Sequence, residues 1–364
     1  MHAALAIERA SCQSTYPVSI GKRILSREPL LALLEGKKGV ILSDETVARL
    51  YGNQLRELLA SPLLTVPSGE SFKTREVKLR LEDEMFELGL GRDTVLFALG
   101  GGVICDLSGF LAATYCRGID LVSIPTSLLA MVDACIGGKN GVNTSYGKNL
   151  IGTIHDPKAV FIDMEFLTSL PEEELRNGMV ETIKHGLIGD RSYFQVIERS
   201  LEELLKQPQE AASLVLTSCQ IKGALVFGDE REGGKRRLLN YGHTVGHALE
   251  ALSNYSLSHG RAVALGIKVE SFLSHELAGL SQRSLKRINA LFDRCYPDLA
   301  LPPNLEPREL LEAMKRDKKA LEGKPRFVLL EEIGEPASYG GAFCTAVPEG
   351  LIEKAFESYF GRGF

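Results

Sequence analysis

Three of the chain's seven histidines lie close together, in Asn240-Tyr241-Gly242-His243-Thr244-Val245-Gly246-His247 and in the following Ser258-His259-Gly260. His243 and His247 are four residues apart and share one face if the segment is helical. That is metal-ligand spacing, and His259 brings a third imidazole from the next element. A catalytic zinc takes about three nitrogen or oxygen ligands and keeps one position open. Glu181 is the candidate oxygen donor, an acid in the otherwise apolar helical stretch Met179-Val180-Glu181-Thr182-Ile183-Lys184-His185. The His-Glu-x-x-His pattern of metalloproteases is absent, because Thr244 stands where the general base would be.

Two glycine-rich stretches suggest a second kind of chemistry. Leu99-Gly100-Gly101-Gly102-Val103-Ile104-Cys105-Asp106 follows an apolar run and precedes a helical pattern. There the backbone can pass close to a pyrophosphate and a helix N-terminus offers its N–H groups. Cys105 occupies the place of the last glycine of Gly-x-Gly-x-x-Gly, so phosphate binding and a structural tight turn both stay open. Gly137-Gly138-Lys139-Asn140-Gly141, followed by Gly147-Lys148-Asn149, puts two lysines in what reads as flexible loops. Its spacing is not that of a Walker A motif, and Asn149 replaces the magnesium-binding hydroxyl residue. Between Lys222 and Asn240 runs Asp229-Glu230-Arg231-Glu232-Gly233-Gly234-Lys235-Arg236-Arg237. It is either a solvated charged face or a polyanion pocket in which arginine forks grip phosphate. Its position beside the histidines favours the pocket.

The elements that must hold these residues show in the hydrophobic rhythm. Gly39 to Ser43, Leu63 to Val66, Thr94 to Leu99 and Leu121 to Ile124 read as strands, each followed by a turn or helix start. This predicts βαβ units, a parallel sheet and a Rossmann-like α/β domain over residues 1–170, with the glycine clusters at the carboxyl ends of strands. Ser169-Leu170-Pro171-Glu172-Glu173-Glu174 marks a helix N-terminus. From there helical periods dominate: Leu175 to Leu187, Ser192 to Lys206, Ala211 to Val226, Gly242 to Leu252 and Ala262 to Leu277. Residues 171–364 are therefore expected to form a mainly α-helical domain for metal and substrate, with Leu301-Pro302-Pro303-Asn304 a loop.

Composition sets the outer limits. The 364 residues are 44% hydrophobic and 24% charged, which describes a globular chain of about two domains. A formal charge of −5 gives nucleic acid or an anionic membrane no net attraction, so an anionic ligand needs a local basic site. No run is long and apolar enough to span a membrane, and the stretch from Ala3 to Ile7 meets Glu8 and Arg9 before it could form a secretory core. Cytoplasmic residence is expected. The seven cysteines are odd in number and lack a Cys-x-x-Cys pair, as buried reduced thiols would.

Taken together, the motifs resemble those of the 3-dehydroquinate synthase family, within the wider sugar phosphate cyclases. The resemblance covers nearly the whole chain. It rests on Ser68-Gly69-Glu70 with Lys73, Gly100 through Asp106, Tyr115 through Gly118 with Arg117, and Pro125 through Asp133. Further along it rests on Gly137 through Asn143, Gly147-Lys148-Asn149, Glu181 with Lys184, Asn240 through His247, His259-Gly260 and Asp317-Lys318-Lys319. It implies conversion of 3-deoxy-D-arabino-heptulosonate 7-phosphate, a sugar acid phosphate, to 3-dehydroquinate and phosphate, the second step of the shikimate pathway. NAD+ would be used and regenerated: oxidising a hydroxyl makes the neighbouring proton acidic enough for phosphate elimination, and reduction, ring opening and aldol closure follow.

The same resemblance assigns Asp44, Glu70, Lys73, Gly101, Gly102, Val103, Asp106, Thr126, Ser127, Lys139, Lys148, Phe166 and Thr168 to NAD+. It assigns Glu181, His243 and His259 to a divalent metal, usually Zn2+ with Co2+ the alternative, and frees His247 for proton transfer. Around the substrate it implies Asp133, Lys139, Lys148, Asn149, Lys184, Lys222, Glu232, Arg236, Asn240 and His247. Arg117 would reach a neighbouring subunit's phosphate site, which implies a homodimer. Asn140, Ser127 and Cys105 depart from the family pattern as small or compact replacements. Arg261 stands where glutamate usually follows His259-Gly260; a cation beside a metal ligand is expected to reverse the local charge and weaken metal binding. Another sugar phosphate cyclase, a metal-dependent polyol dehydrogenase of related fold and a lapsed nucleotide-binding scaffold stay open as alternatives. The substrate-facing lysines disfavour the first, the basic cluster the second and the intact ligands the third.

Overall fold

The computed structural model describes residues 3–9, 14–302, 305–316 and 323–361. Asp317, Lys318, Lys319, Cys12, Pro303 and Asn304 lie outside the described residues. The chain divides into two compact units, Met1–Leu175 with Lys206–Gly223 and Arg176–Leu205 with Ala224–Phe364. The division expected at 170/171 lies just before the first crossing and does not set 206–223 apart, since helical periodicity reports a helix and not what it packs on.

The first unit is built on a seven-stranded sheet. Its strands are β1 (Ala3–Arg9), β2 (Ser14–Gly21), β3 (Lys38–Asp44), β4 (Leu63–Val66), β5 (Thr94–Gly100), β6 (Asp120–Pro125) and, later in the chain, β9 (Ala159–Asp163). The order is β1-β2-β9-β6-β5-β3-β4. Only β1 runs antiparallel; the other six are parallel. Every residue of β5 is buried, because helices cover both faces of such a sheet and its strands need apolar residues on both sides. Those helices include α1 (Arg27–Leu34), α3 (Asn53–Leu59), α4 (Arg75–Glu87) and α5 (Gly102–Thr114), while α2 (Glu45–Val47) is a single turn after β3. All four strands expected from the sequence are present, extended by one residue at five of their eight ends.

The chain leaves β3 for β4 on one side and then returns to β5 on the other. That reversal opens a crevice at the carboxyl ends of β3 and β5. The segment Gly137 to Asn149, expected as flexible loops, is instead an antiparallel hairpin of β7 (Lys139–Thr144) and β8 (Gly147–Ile154). It lies against α5 so closely that a Cβ on Gly109 would fall 1.9 Å from Asn140 Oδ1. The Asn140 amide donates to the carbonyls of Gly138 at 2.8 Å and His155 at 2.9 Å, which gives this replacement a structural role.

The second unit is helical: most of α6 (Glu172–Gly189), α7 (Arg191–Lys206), α9 (His243–Leu252), α10 (His259–Leu277), α11 (Gln282–Cys295), α12 (Pro307–Lys315) and α13 (Glu349–Phe360). The intervening α8 (Ala212–Val226) lies largely in the first unit. Arg287 grips Glu198 through two bonds of 2.9 and 2.6 Å, and Arg294 grips Glu202 at 2.8 and 2.7 Å, tying α11 to α7. The backbones of α9 and α10 nearly touch. A Cβ on Gly266 would meet the Gly242 carbonyl oxygen at 1.9 Å, and Gly242 itself has a φ of +81° that favours glycine. No helix among the described residues is long and apolar enough to cross a membrane, and none of the six described cysteines is in a disulfide. Burial pushes the thiols of Cys105, Cys135 and Cys219 up, the last to about 12, which keeps them protonated and inert.

Candidate active site

The close crossing of α9 and α10 brings His243, first residue of α9, against His259, first residue of α10, with ring centroids 5.4 Å apart. Glu181 comes from the middle of α6 and is 1% exposed. Its Oε1 lies 3.7 Å from Nε2 of both imidazoles. A tetrahedral ion with bonds of roughly 2.0–2.2 Å holds its donors roughly 3.3–3.6 Å apart. One carboxylate oxygen and two imidazole nitrogens at this spacing fit a divalent cation; this is the set that the resemblance implies, whereas the four-residue spacing alone pairs His243 with His247. His247 keeps its edge toward His243, centroids 5.2 Å apart, and stands outside the trio.

The side chains of this trio are themselves held in orientation. His243 Nδ1 faces the Tyr241 carbonyl at 3.2 Å, and His259 Nδ1 faces the buried Glu250 carboxylate at 3.5 Å. Each leaves Nε2 toward Glu181, the arrangement that fixes the tautomer of metal-binding histidines. The buried Lys184, one turn after Glu181, donates to Glu181 Oε2 and leaves Oε1 facing the histidines. Burial alone pulls the His259 imidazole down, but the Glu181 and Glu250 carboxylates outweigh it and raise it to about 10. The pocket therefore favours a cation at this point.

Arg261 does not act as expected. Its guanidinium lies over the Tyr296 ring, 4.7 Å from the centroid, and pairs with Asp298 at 3.1 Å. Two residues along a helix turn the side chain by about 200°, so Arg261 leaves on the far side of α10 from His259. The carboxylate beside His259 comes from Glu250 instead.

Immediately before α9, the charged run forms a structured loop around Asp229. The Asp229 carboxylate accepts backbone N–H bonds from Gly233, Gly234 and Arg236 at 2.7, 2.8 and 2.9 Å. This wraps the loop and buries Arg236, whose guanidinium donates to the Glu230 carbonyl at 3.3 Å. Glu232, in a left-handed conformation with φ +61°, accepts from the Asn240 amide at 3.2 Å. The run is not a plain solvated face.

In the first unit, the crevice between β3 and β5 holds the residues that the resemblance links to a dinucleotide. Asp44 ends β3; it caps α2 by accepting from the N–H groups of Thr46 and Val47 and takes a 2.8 Å bond from Ser68. Gly101 and Gly102 open α5 right after β5, Val103 and Asp106 follow in its first turns, and Thr126 and Ser127 follow β6 on the next strand over. Lys73 is buried and donates to Asp106 and, at 2.6 Å, to Asn149 Oδ1. Burial pulls its ammonium down, but Asp106 and Glu70 overcome this and hold it above the usual lysine range. Asn143 completes the network by donating to Glu70 at 2.8 Å. An acid after one strand, a glycine turn into a helix N-terminus after the next, and a strand-order reversal between them fit a dinucleotide.

The remaining expected residues are spread around the first unit. Lys139 and Lys148 sit on the β7–β8 hairpin. Lys222 donates to the backbone carbonyl of Asp133 and, at 2.6 Å, to its carboxylate. Phe166 and Thr168 follow β9; Phe166 packs edge-on against Tyr51 at 4.7 Å, and Thr168 donates to the Glu165 carbonyl. Arg117 is exposed at the apex of a turn in which Cys116, Arg117 and Gly118 all have positive φ. Glu250 and Asp229 are the supporting residues that the sequence reading missed.

Two family models match in succession: the N-terminal region of 3-dehydroquinate synthase over residues 63–177 and its C-terminal region over 178–320. The 3-dehydroquinate synthase of Nitrosomonas europaea is 43% identical over 332 residues, covering 88% of this chain and 89% of that protein. That of Desulforamulus reducens is 42% identical over 335 residues, covering 88% and 92%. Among solved structures, 2-epi-5-epi-valiolone synthase from Streptomyces hygroscopicus, with NAD+ and Zn2+ bound, superposes with a TM-score of 0.83 at 31% identity over 95% of this chain and 96% of that one. A 2-deoxy-scyllo-inosose synthase shares the fold at a TM-score of 0.89 and 24% identity, over 98% and 100%.

Proposed function

Because the chain belongs to the 3-dehydroquinate synthase family, we propose that it converts 3-deoxy-D-arabino-heptulosonate 7-phosphate to 3-dehydroquinate and phosphate, using NAD+ and a divalent metal, Zn2+ or Co2+. The observation that carries this reading is the meeting of the buried Glu181 Oε1 with Nε2 of His243 and His259, each imidazole oriented from behind.

When bound, the metal supplies Lewis acidity and the nicotinamide a reversible hydride acceptor. Glu181, His243 and His259 hold the metal; Glu250 and the Tyr241 carbonyl keep the imidazoles aimed. Asp44, Glu70, Lys73, Asp106 and the Gly101–Gly102 turn, with Val103, Thr126, Ser127, Phe166 and Thr168, hold the dinucleotide. Lys139, Lys184, Lys222 and Arg236 are the cations that bind the phosphate dianion and stabilise it as it leaves. Asp133, Lys148, Asn149, Glu232 and Asn240 orient the hydroxyls and carboxylate of the sugar acid. His247, whose imidazole stands outside the ligand trio, moves the proton lost from the carbon next to the oxidised hydroxyl. Elimination needs a base held at that proton and the carbon–oxygen bond to phosphate aligned with the forming enolate, so positioning supplies much of the rate.

The protein acts in this reading as a cytoplasmic homodimer. Leu79 and Phe86, seven residues apart on α4, are 59% and 57% exposed, and Phe86 packs on Tyr115 beside the Arg117 turn. Such an apolar face next to an arginine held at a turn apex suits a second copy of the chain.

Phosphate release and NADH absorbance, measured together on purified protein with substrate, NAD+ and zinc, test the assignment. Many turnovers of phosphate without accumulating NADH, lost on chelation, are expected. Net NADH formation would indicate a dehydrogenase instead.

A further inference from the structure

His259 is the first residue of α10, and the first N–H groups of a helix have no partner within it. Ser258, at the N-cap, does not cap with its side chain. The Gly260 amide is buried and donates to Asn177 Oδ1 at 3.1 Å. Asn177 belongs to α6, where it stands four residues, one turn, before Glu181. One helix therefore carries a metal ligand and, a turn away, the group that caps the helix carrying another ligand.

The carboxamide is itself held. Asn177 is 5% exposed, and its Oδ1 also accepts from the Tyr296 hydroxyl at 3.1 Å. Two donors on one atom identify it as the oxygen. Tyr296 is 1% exposed and lies under the Arg261 guanidinium, which Asp298 anchors. A Cβ on Gly260 would come 2.6 Å from Asn177 Cα and 2.8 Å from the Tyr296 hydroxyl, so glycine here allows the contact. Arg261, the departure that the sequence marks as a threat to the metal, is the outer end of this support.

We propose that Asn177 is a positioning residue for the metal centre: by capping Gly260 from α6 it registers His259 opposite Glu181, and Tyr296 and Arg261 hold it in that role. The inference rests on reading Glu181, His243 and His259 as ligands. Loss of the cap leaves a buried N–H unsatisfied and lets the start of α10 shift. Since supporting groups around metal ligands typically change affinity by about 10–100-fold, a loss of that size is expected.

Affinity for zinc, from competition with a chromophoric chelator, and the absorption spectrum of the cobalt-loaded protein are the readouts. They would be compared across the parent chain, Asn177→Leu, Asn177→Asp, Tyr296→Phe and Glu181→Ala. Asn177→Leu keeps the volume and removes the acceptor; it should lose about 10–100-fold in zinc affinity and alter the cobalt spectrum. Asn177→Asp keeps the acceptor and should bind zinc close to the parent. Parental binding by Asn177→Leu, with Glu181→Ala deficient, would overturn the inference and leave the ligand reading standing. Parental binding by Glu181→Ala would overturn both. A lower metal-free melting temperature for Asn177→Leu with unchanged zinc affinity would make Asn177 merely structural and also overturn it. If Asn177→Leu does not fold, Tyr296→Phe decides: a smaller loss in the same direction supports the inference, and unchanged affinity and spectrum reject it.

Discussion

At the scale of single residues, Glu181, His243 and His259 could be picked out from the sequence as candidate ligands, and the side chains that orient them could not. The four-residue spacing of His243 and His247 is visible in any alignment-free reading, as is an acid in an apolar helix. Glu250 is different: seven residues beyond His243 on α9 it looks like any helical acid, and only the approach of α10 brings it to His259 Nδ1. Replacing Glu250 with Gln should weaken zinc binding by about tenfold with little change in NAD+ affinity, measured by chelator competition and by nucleotide titration. Asp229 was hidden for another reason, since charge sign along a run does not show which carboxylate turns inward to collect backbone N–H groups. Asp229→Ala removes three such bonds and should raise KM for the sugar phosphate about tenfold or more, while metal content stays at the parent level. Arg261 misled because neighbours in sequence on a helix point in different directions.

At the scale of elements, periodicity located the sheet and helices where it was strong. The buried strands β3, β5 and β6 are largely apolar, and the five helical segments expected between Leu175 and Leu277 appear within a few residues of their expected bounds. The β7–β8 hairpin escaped because its strands are rich in glycine, asparagine and lysine and show no alternation to mark a face. The glycines near the histidines were also legible only as a motif; their use is the contact between α9 and α10. Gly266→Ala should force these helices apart, lower the melting temperature by an amount corresponding to about 1–3 kcal/mol, and weaken metal binding with it. Calorimetry of the metal-free protein and zinc titration would test the two parts; a variant that melts and binds as the parent would contradict the packing argument.

At the scale of the whole molecule, association is the property least visible in composition. The exposed pair Leu79 and Phe86 and the turn of Arg117 make specific expectations. If the proposed homodimer forms through this face, Phe86→Glu should shift the protein toward monomer in analytical ultracentrifugation. Arg117→Ala should leave the mass unchanged but raise KM sharply, since the residue is exposed in its own chain. A Phe86→Glu protein that stays dimeric would move the interface elsewhere. The order in which the chain visits its two units has a consequence for biogenesis. The stretch Lys206–Gly223 completes the first unit, where Cys219 meets the Met131 carbonyl, Lys222 holds Asp133 and Lys22 pairs with Glu210. The ribosome makes α7 before it makes that stretch. A nascent chain therefore cannot close its nucleotide-binding half as soon as the β-rich part has emerged. The half that is started first is sealed only after a helix of the other half has been synthesised, and a fragment cut at the end of the α/β sequence would lack the segment that closes it.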